Sequence, residues 1–246
     1  MRLTRIHVPA TLSEGAEIVL PAQAGEHLTR VLRLEAGAAL TLFNGEGGEY
    51  AATLAPINGK KVIARVLRHD AVERESPLAV TLLQGVARGE RMDLIVQKAT
   101  ELGVARIVPV LAERSVVKLD ARQRTRKREH WQAIAVSACE QCGRNRVAEV
   151  DEPMALGDAV KSLADDSVRC LLAAGGAESL AQVAAHAALR PIALLIGPEG
   201  GLAEHERQFA EGNGFRVYRM GPRVMRTETA GLAALAVLQT VAGDFR

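Results

Sequence analysis

The sequence predicts an α/β protein built on a parallel sheet, preceded by a small β-barrel-like domain. Three observations predict it. Short strand-like segments separated by turn signals fill the chain up to residue 67. A polar stretch, HDAVERESP (69–77), then interrupts the pattern. Beyond Pro77 apolar strands alternate with amphipathic helices, the order that yields a parallel sheet with helices on both faces.

In the first part, strands are expected at 3–8, 17–20, 39–43, 50–55 and 62–67, with turns at Asn44-Gly45, Gly47-Gly48 and Asn58-Gly59. One helix is expected at 26–34, and the domain spans 1–73. The second domain spans 74–246. There LAVTLLQGV precedes helix RMDLIVQKATELG, and RIVPVLA precedes a long helix through Trp131. A short helix near 156–163 precedes VRCLLAA, and helix ESLAQVAAHAA leads to PIALLIG. Helix LAEHERQFAEG leads to FRVYRM, and an apolar helix follows through 230–241. Sheets of this kind bind ligands at the carboxyl ends of their strands.

Composition narrows the function. With 48% apolar residues, the 246-residue chain has enough for a substantial core. Its 31 basic and 29 acidic residues leave a net charge of +2, so a nucleic-acid site must come from local clustering. Aromatics, at 3%, are too sparse for a platform that stacks many bases. Three cysteines, Cys139, Cys142 and Cys170, do not make a disulfide framework. The C-x-x-C pair lacks a second pair at zinc spacing, and Cys142 shares a helical face with Trp131, Ile134, Ala135 and Ala138. Buried reduced thiols are expected there, and no metal site. MRLTRIHVPA holds no apolar run of signal-peptide length, and no window reaches the roughly 18 apolar residues of a membrane span. A cytoplasmic protein is expected.

Two loops carry chemistry. In Leu195-Ile196-Gly197-Pro198-Glu199-Gly200-Gly201 an apolar strand runs into three glycines, a proline and an acid. Glycines let backbone approach a ligand closely. The loop is neither G-x-G-x-x-G nor a phosphate-binding P-loop, and its carboxylate suits a neutral or cationic ligand. The second loop, Met220-Gly221-Pro222-Arg223-Val224-Met225-Arg226-Thr227-Glu228-Thr229-Ala230, also opens a helix. Thr227 or Thr229 is expected as its N-cap, with Glu228 favoured at the positive helix end. Arg226 opposes the helix dipole, which points to a functional role. A dinucleotide-dependent oxidoreductase is disfavoured by the missing G-x-G-x-x-G.

RIHVP, HLTRVLRL, LFNGEGGEY, RGERMDLIVQKATELGV, CEQCGRNRV, LLIGPEGG and GPRVMRTETA, in that order, resemble the bacterial family that forms N3-methyluridine in small-subunit ribosomal RNA, within the SPOUT methyltransferases. Met225 stands where leucine or isoleucine is expected. The resemblance implies a PUA-like barrel that grips RNA and a trefoil-knotted α/β domain that binds S-adenosylmethionine. It also implies a homodimer whose substrate is ribosomal RNA, read here as RNA within the assembled subunit. The cofactor would be held by Leu172, by Ile196, Gly197, Pro198, Glu199, Gly200 and Gly201, and by Met220, Gly221, Val224, Met225, Arg226, Thr227, Thr229 and Ala230. Arg226 is expected to stabilise charge on the uracil oxygens, and Glu228 or Glu199 to accept the N3 proton. Candidate phosphate contacts are Arg2 and Arg5 on the first strand and Arg30 and Arg33 on one helical face. Arg122, Arg124 and Arg126, in the run ARQRTRKR, complete that set. The remaining readings are a non-catalytic RNA-binding protein and an enzyme acting on another RNA or on a ribose hydroxyl.

Overall fold

The computed structural model describes residues 4–56, 61–186 and 190–245; Arg2 and the Asn58-Gly59 turn lie outside the described residues. The chain divides into two compact units, one of Met1–Glu75 with Cys139–Val147, the other of Ser76–Ala138 with Ala148–Arg246.

The first unit holds a five-stranded sheet of β1 (Thr4–His7), β2 (Glu17–Val19), β3 (Ala39–Phe43), β4 (Glu49–Leu54) and β5 (Ile63–Asp70), in the order β1-β3-β4-β5-β2. β1 and β3 are parallel and the other pairs antiparallel. Alternate residues, among them Ile6, Leu40, Leu42, Ala52, Leu54, Ala64 and Val66, form its core, as a period of two requires. β5 runs on to Asp70, into the polar stretch expected to be linker, because it pairs with β4 along its length.

The helix expected at 26–34 is a short α1 (Ala22–Glu26) followed by a π-helical turn, His27–Val31. Leu28 is drawn fully into the core. Arg33 follows the turn with a left-handed φ of 51°. Arg30 and Arg33 therefore do not share a regular helical face, although both are exposed.

Arg5 corrects a second expectation. Its guanidinium is buried, pairs with Glu49, and donates to Asn145 Oδ1 (2.5 Å) and to the Arg144 carbonyl (3.2 Å). So committed, it is not available to a phosphate. Its partners explain CEQCGRNRV. Arg144, 7% exposed, binds Glu75 (2.5 and 3.1 Å), and Arg146 binds Glu73 (3.1 Å). Asn145, fully buried, donates to the Val72 carbonyl (2.9 Å), and Glu140 accepts from the His7 amide (3.0 Å). This segment, placed by sequence in the second domain, is stapled by polar contacts into the first unit.

The second unit is a parallel sheet. Its strands are β6 (Val80–Gly85), β7 (Arg106–Leu111), β8 (Glu149–Val150), β9 (Met154–Ala155), β10 (Val168–Leu172), β11 (Glu178–Ser179), β12 (Ile192–Ile196) and β13 (Arg216–Arg219). The order is β11-β13-β10-β12-β6-β7-β8, with β9 beside β7. Buried on both faces, β12 reads IALLI without alternation. The helices are α2 (Glu90–Glu101), α3 (Ala121–Cys142), α4 (Leu156–Lys161), α5 (Leu180–His186), α6 (Glu204–Gly212) and α7 (Thr227–Ala242).

Asp120 and Gln123 cap the start of α3 reciprocally, amide to side-chain oxygen, at 2.8 and 2.9 Å. That start fixes the basic run. Arg122 and Arg126 are exposed, while Arg124 is half-buried and turns back to the Leu119 carbonyl (3.3 Å). Among the described residues, no helix is long and apolar enough to cross a membrane.

Candidate active site

The sheet order places β12 between β10 and β6, so three carboxyl ends converge beside the β13 end. The strand ends Leu172 and Ile196 open into loops here, and so does Arg219. A pocket of about 820 Å³ lies over them, a size suited to a nucleoside-containing ligand. All the cofactor residues expected from sequence line it except Thr229, which points to solvent from the first turn of α7. The loop after β10 adds Ala173, Ala174 and Gly175.

The first wall is the 197–201 loop. Gly201 adopts φ 69° and donates its amide to the Pro198 carbonyl (2.8 Å), a tight turn that favours glycine. A Cβ on Gly197 would lie 3.1 Å from the Leu202 nitrogen, so the turn folds tightly on itself. Glu199 Oε1 accepts from the Arg88 amide (3.0 Å) and Arg91 Nη1 (3.1 Å). Burial pushes the Glu199 carboxyl upward, yet these hydrogen bonds, its own amide and the Arg91 charge hold it below the ordinary range.

The second wall is the loop into α7. Arg226, not a threonine, occupies the N-cap, at φ −65° and ψ 153°, and its side chain makes no cap bond. Its carbonyl accepts from the Thr229 and Ala230 amides (2.9 and 2.8 Å), which leaves the guanidinium exposed at the pocket lip. Thr227, expected as a cap, instead donates its hydroxyl to the Gly197 carbonyl (2.7 Å) and accepts from Gln84 Nε2 (2.9 Å). One oxygen of Glu228 lies 3.8 Å from Arg91 Nε, and the other is buried with no hydrogen-bond partner among the described residues.

Sequence reasoning missed Arg91 and Gln84. Arg91 is one of several polar residues in the helix RMDLIVQKATELG, and Gln84 lies near the end of the strand LAVTLLQGV. Neither carries a local signal, because their partners lie more than a hundred residues away. On α2, Lys98 and Glu101 bind each other (2.8 Å), the ordinary behaviour of an i,i+3 pair. Burial in β10 pushes the Cys170 thiol up to about 12, which makes it no nucleophile at neutral pH.

The profile described as an RNA methyltransferase domain matches residues 74–239, and one described as an RNA methyltransferase PUA domain matches 20–67. The ribosomal RNA small subunit methyltransferase E of Bacillus subtilis is 31% identical over 92% of this chain and 91% of its own length. The chain belongs to the ribosomal RNA small subunit methyltransferase E family. A family member from Neisseria gonorrhoeae, solved bound to S-adenosyl methionine, is 36% identical over the whole of both chains, with a TM-score of 0.92. A Legionella pneumophila protein, solved with the cofactor SAM, is 39% identical, with a TM-score of 0.94 over 99% of this chain and all of that one. The fold of this family member is thus a parallel-sheet methyltransferase domain joined to a PUA-like domain.

The pocket's chemistry fits the same cofactor. Its glycine loops offer backbone to a purine, and Leu172, Ile196, Met220 and Met225 offer apolar wall to a thioether chain. The Glu199 and Glu228 carboxylates line the pocket and give it acidic groups, beside which a sulfonium cation would sit less unfavourably than an anion. An inorganic pyrophosphate would meet repulsion there.

Proposed function

We propose that this chain methylates N3 of a uridine in small-subunit ribosomal RNA, with S-adenosylmethionine as donor. The observation that carries the reading is the convergence of two glycine loops, an exposed Arg226 with no ion pair among the described residues, and Glu228 on one pocket at the carboxyl edge of the sheet. The bound cofactor supplies an electrophilic methyl group on a sulfonium. In-line displacement needs positioning more than covalent help, and the loops that follow β10 and β12 line the pocket to provide it.

Uridine N3 attacks only once its proton is leaving. Of the two carboxylates, Glu228 is the better acceptor, because one of its oxygens has no donor among the described residues. Glu199 is engaged by Arg88 and Arg91 and serves to hold its loop. Arg226, exposed at the lip, stabilises the charge that spreads onto the uracil carbonyl oxygens. The N3–methyl bond forms as the sulfur–methyl bond breaks, and the N3 proton passes to the carboxylate. Arg226→Ala is expected to bind cofactor but lose most methyl transfer, and full transfer by that variant would remove Arg226 from the mechanism.

The first unit, with residues 1–73 at its centre, is read as the RNA grip. Arg30, whose only described ion pair is a loose 3.5 Å contact with Glu26, and Arg33 are its candidate phosphate contacts. Arg122 and Arg126 are exposed candidates on α3. Sparse aromatics favour recognition by RNA shape, within an assembled subunit. A homodimer, a cytoplasmic location and the knotted threading belong to the same reading, as the family resemblance implies.

The test is transfer of labelled methyl from S-adenosylmethionine to small ribosomal subunits of a strain lacking this gene, followed by nucleoside analysis. Label in N3-methyluridine supports the reading. Label in another nucleoside, or none, overturns the assigned atom or the activity.

A further inference from the structure

We infer that Gln84 and Thr227 form a buried clamp that sets the cofactor loop in its binding conformation, so that Gln84 is a positioning residue for a pocket it does not line. The inference rests on the proposed use of S-adenosylmethionine.

Gln84 is the penultimate residue of β6 and is fully buried. Its amide nitrogen spends both hydrogens, one on Thr227 Oγ1 (2.9 Å) and one on the Gly85 carbonyl (3.1 Å). The Thr227 hydroxyl, accepting from Gln84, is left to donate to the Gly197 carbonyl at 2.7 Å. Three separate pieces of chain, the end of β6, the start of α7 and the first glycine of the 197–201 loop, are thereby joined by one directional relay. The orientation of a hydroxyl is free until a donor fixes it. Gln84 is that donor, and without it Thr227 loses the reason to aim its proton at Gly197.

The surroundings are cut to fit. Gly231 lets α7 approach, since a Cβ there would lie 3.1 Å from Gln84 Oε1. That oxygen is buried and has no partner among the described residues. Carrying a buried amide with an unsatisfied acceptor costs stability, about 1–3 kcal/mol in protein mutational data. An apolar residue would avoid the cost, so the amide's presence at this strand end speaks for a role in the loop rather than in the core.

The test compares Gln84→Met, Thr227→Val and the double variant with the wild-type full chain. Two measurements are made: calorimetric titration with S-adenosylmethionine, and hydrogen exchange on the protein without cofactor. Each single variant is expected to weaken cofactor binding about tenfold, as the loss of one net hydrogen bond implies. The double variant is expected to lose no more than the weaker single one, because both break the same relay. Faster exchange is expected at 197–201, with β6 and β12 unchanged. Additive losses, unchanged affinity, or faster exchange spread through the sheet would each overturn the clamp. A wild-type protein that binds no cofactor would instead overturn the proposed function, and the inference with it. Exchange measured without cofactor keeps the two failures distinct.

Discussion

Gly85→Ala tests whether strand β6 sets the shape of the pocket. The position carries no positive φ, so an alanine backbone is unstrained there. Space decides the outcome. A Cβ would overlap the Pro198 nitrogen and lie 2.6 Å from Pro198 Cδ and 2.8 Å from the Gly197 carbonyl carbon. Those atoms are backbone and ring, not a flexible side-chain tip, so the 197–198 peptide must move. Overpacking a tight site costs about 1–3 kcal/mol. If the displacement falls on the loop, S-adenosylmethionine binding weakens by about 5- to 150-fold at 1.4 kcal/mol per tenfold. Gly157→Ala is the control. It lies in α4, its nearest contact would be Phe209 Cζ at 3.8 Å, and replacing a helical glycine stabilises by roughly 0.5–1 kcal/mol. Calorimetric titration and thermal melting of both variants decide. Wild-type affinity together with a wild-type melting temperature for Gly85→Ala would refute the close-approach argument.

Three further outcomes follow from the same geometry. Arg144→Ala leaves Glu75 half-buried without its partner and should cost about 3–5 kcal/mol in urea unfolding; a loss below about 1 kcal/mol would mean that the pair behaves as an exposed one. Burial pushes the Glu49 carboxyl up, but hydrogen bonds and charge from Arg74 and Arg5 hold it down at about 2. A depressed folded-state pKa stabilises fully above the ordinary 4.5 and is lost as pH falls toward about 2, so Glu49→Gln should flatten the wild-type loss of stability between pH 4.5 and 2; parallel curves would contradict this. Arg122→Gln combined with Arg126→Gln should lower the salt dependence of ribosomal RNA binding by about 2 in slope if both touch phosphate, and an unchanged slope removes α3 from the RNA surface.

The long strands and the two pocket loops, unlike the two-residue strands β8, β9 and β11, are legible in the sequence. Those features are local. Alternation of apolar residues fixes a strand's buried face, and runs such as IALLI announce a strand buried on both. Glycine and proline at a strand's end announce a turn that approaches a ligand. Which polar groups meet is settled by packing of distant segments. Arg5 reads as a surface cation on an edge strand until Asn145 and Glu49 claim it. Thr227 reads as a helix cap until Gln84 and Gly197 turn its hydroxyl elsewhere. The helix expected at 26–34 shortens into a π turn as Leu28 packs into the core. In each case the competing partner is remote in sequence, and a buried polar group takes whichever partner satisfies it most fully. No periodicity within the chain records that choice, because it is made only when the strands have come together.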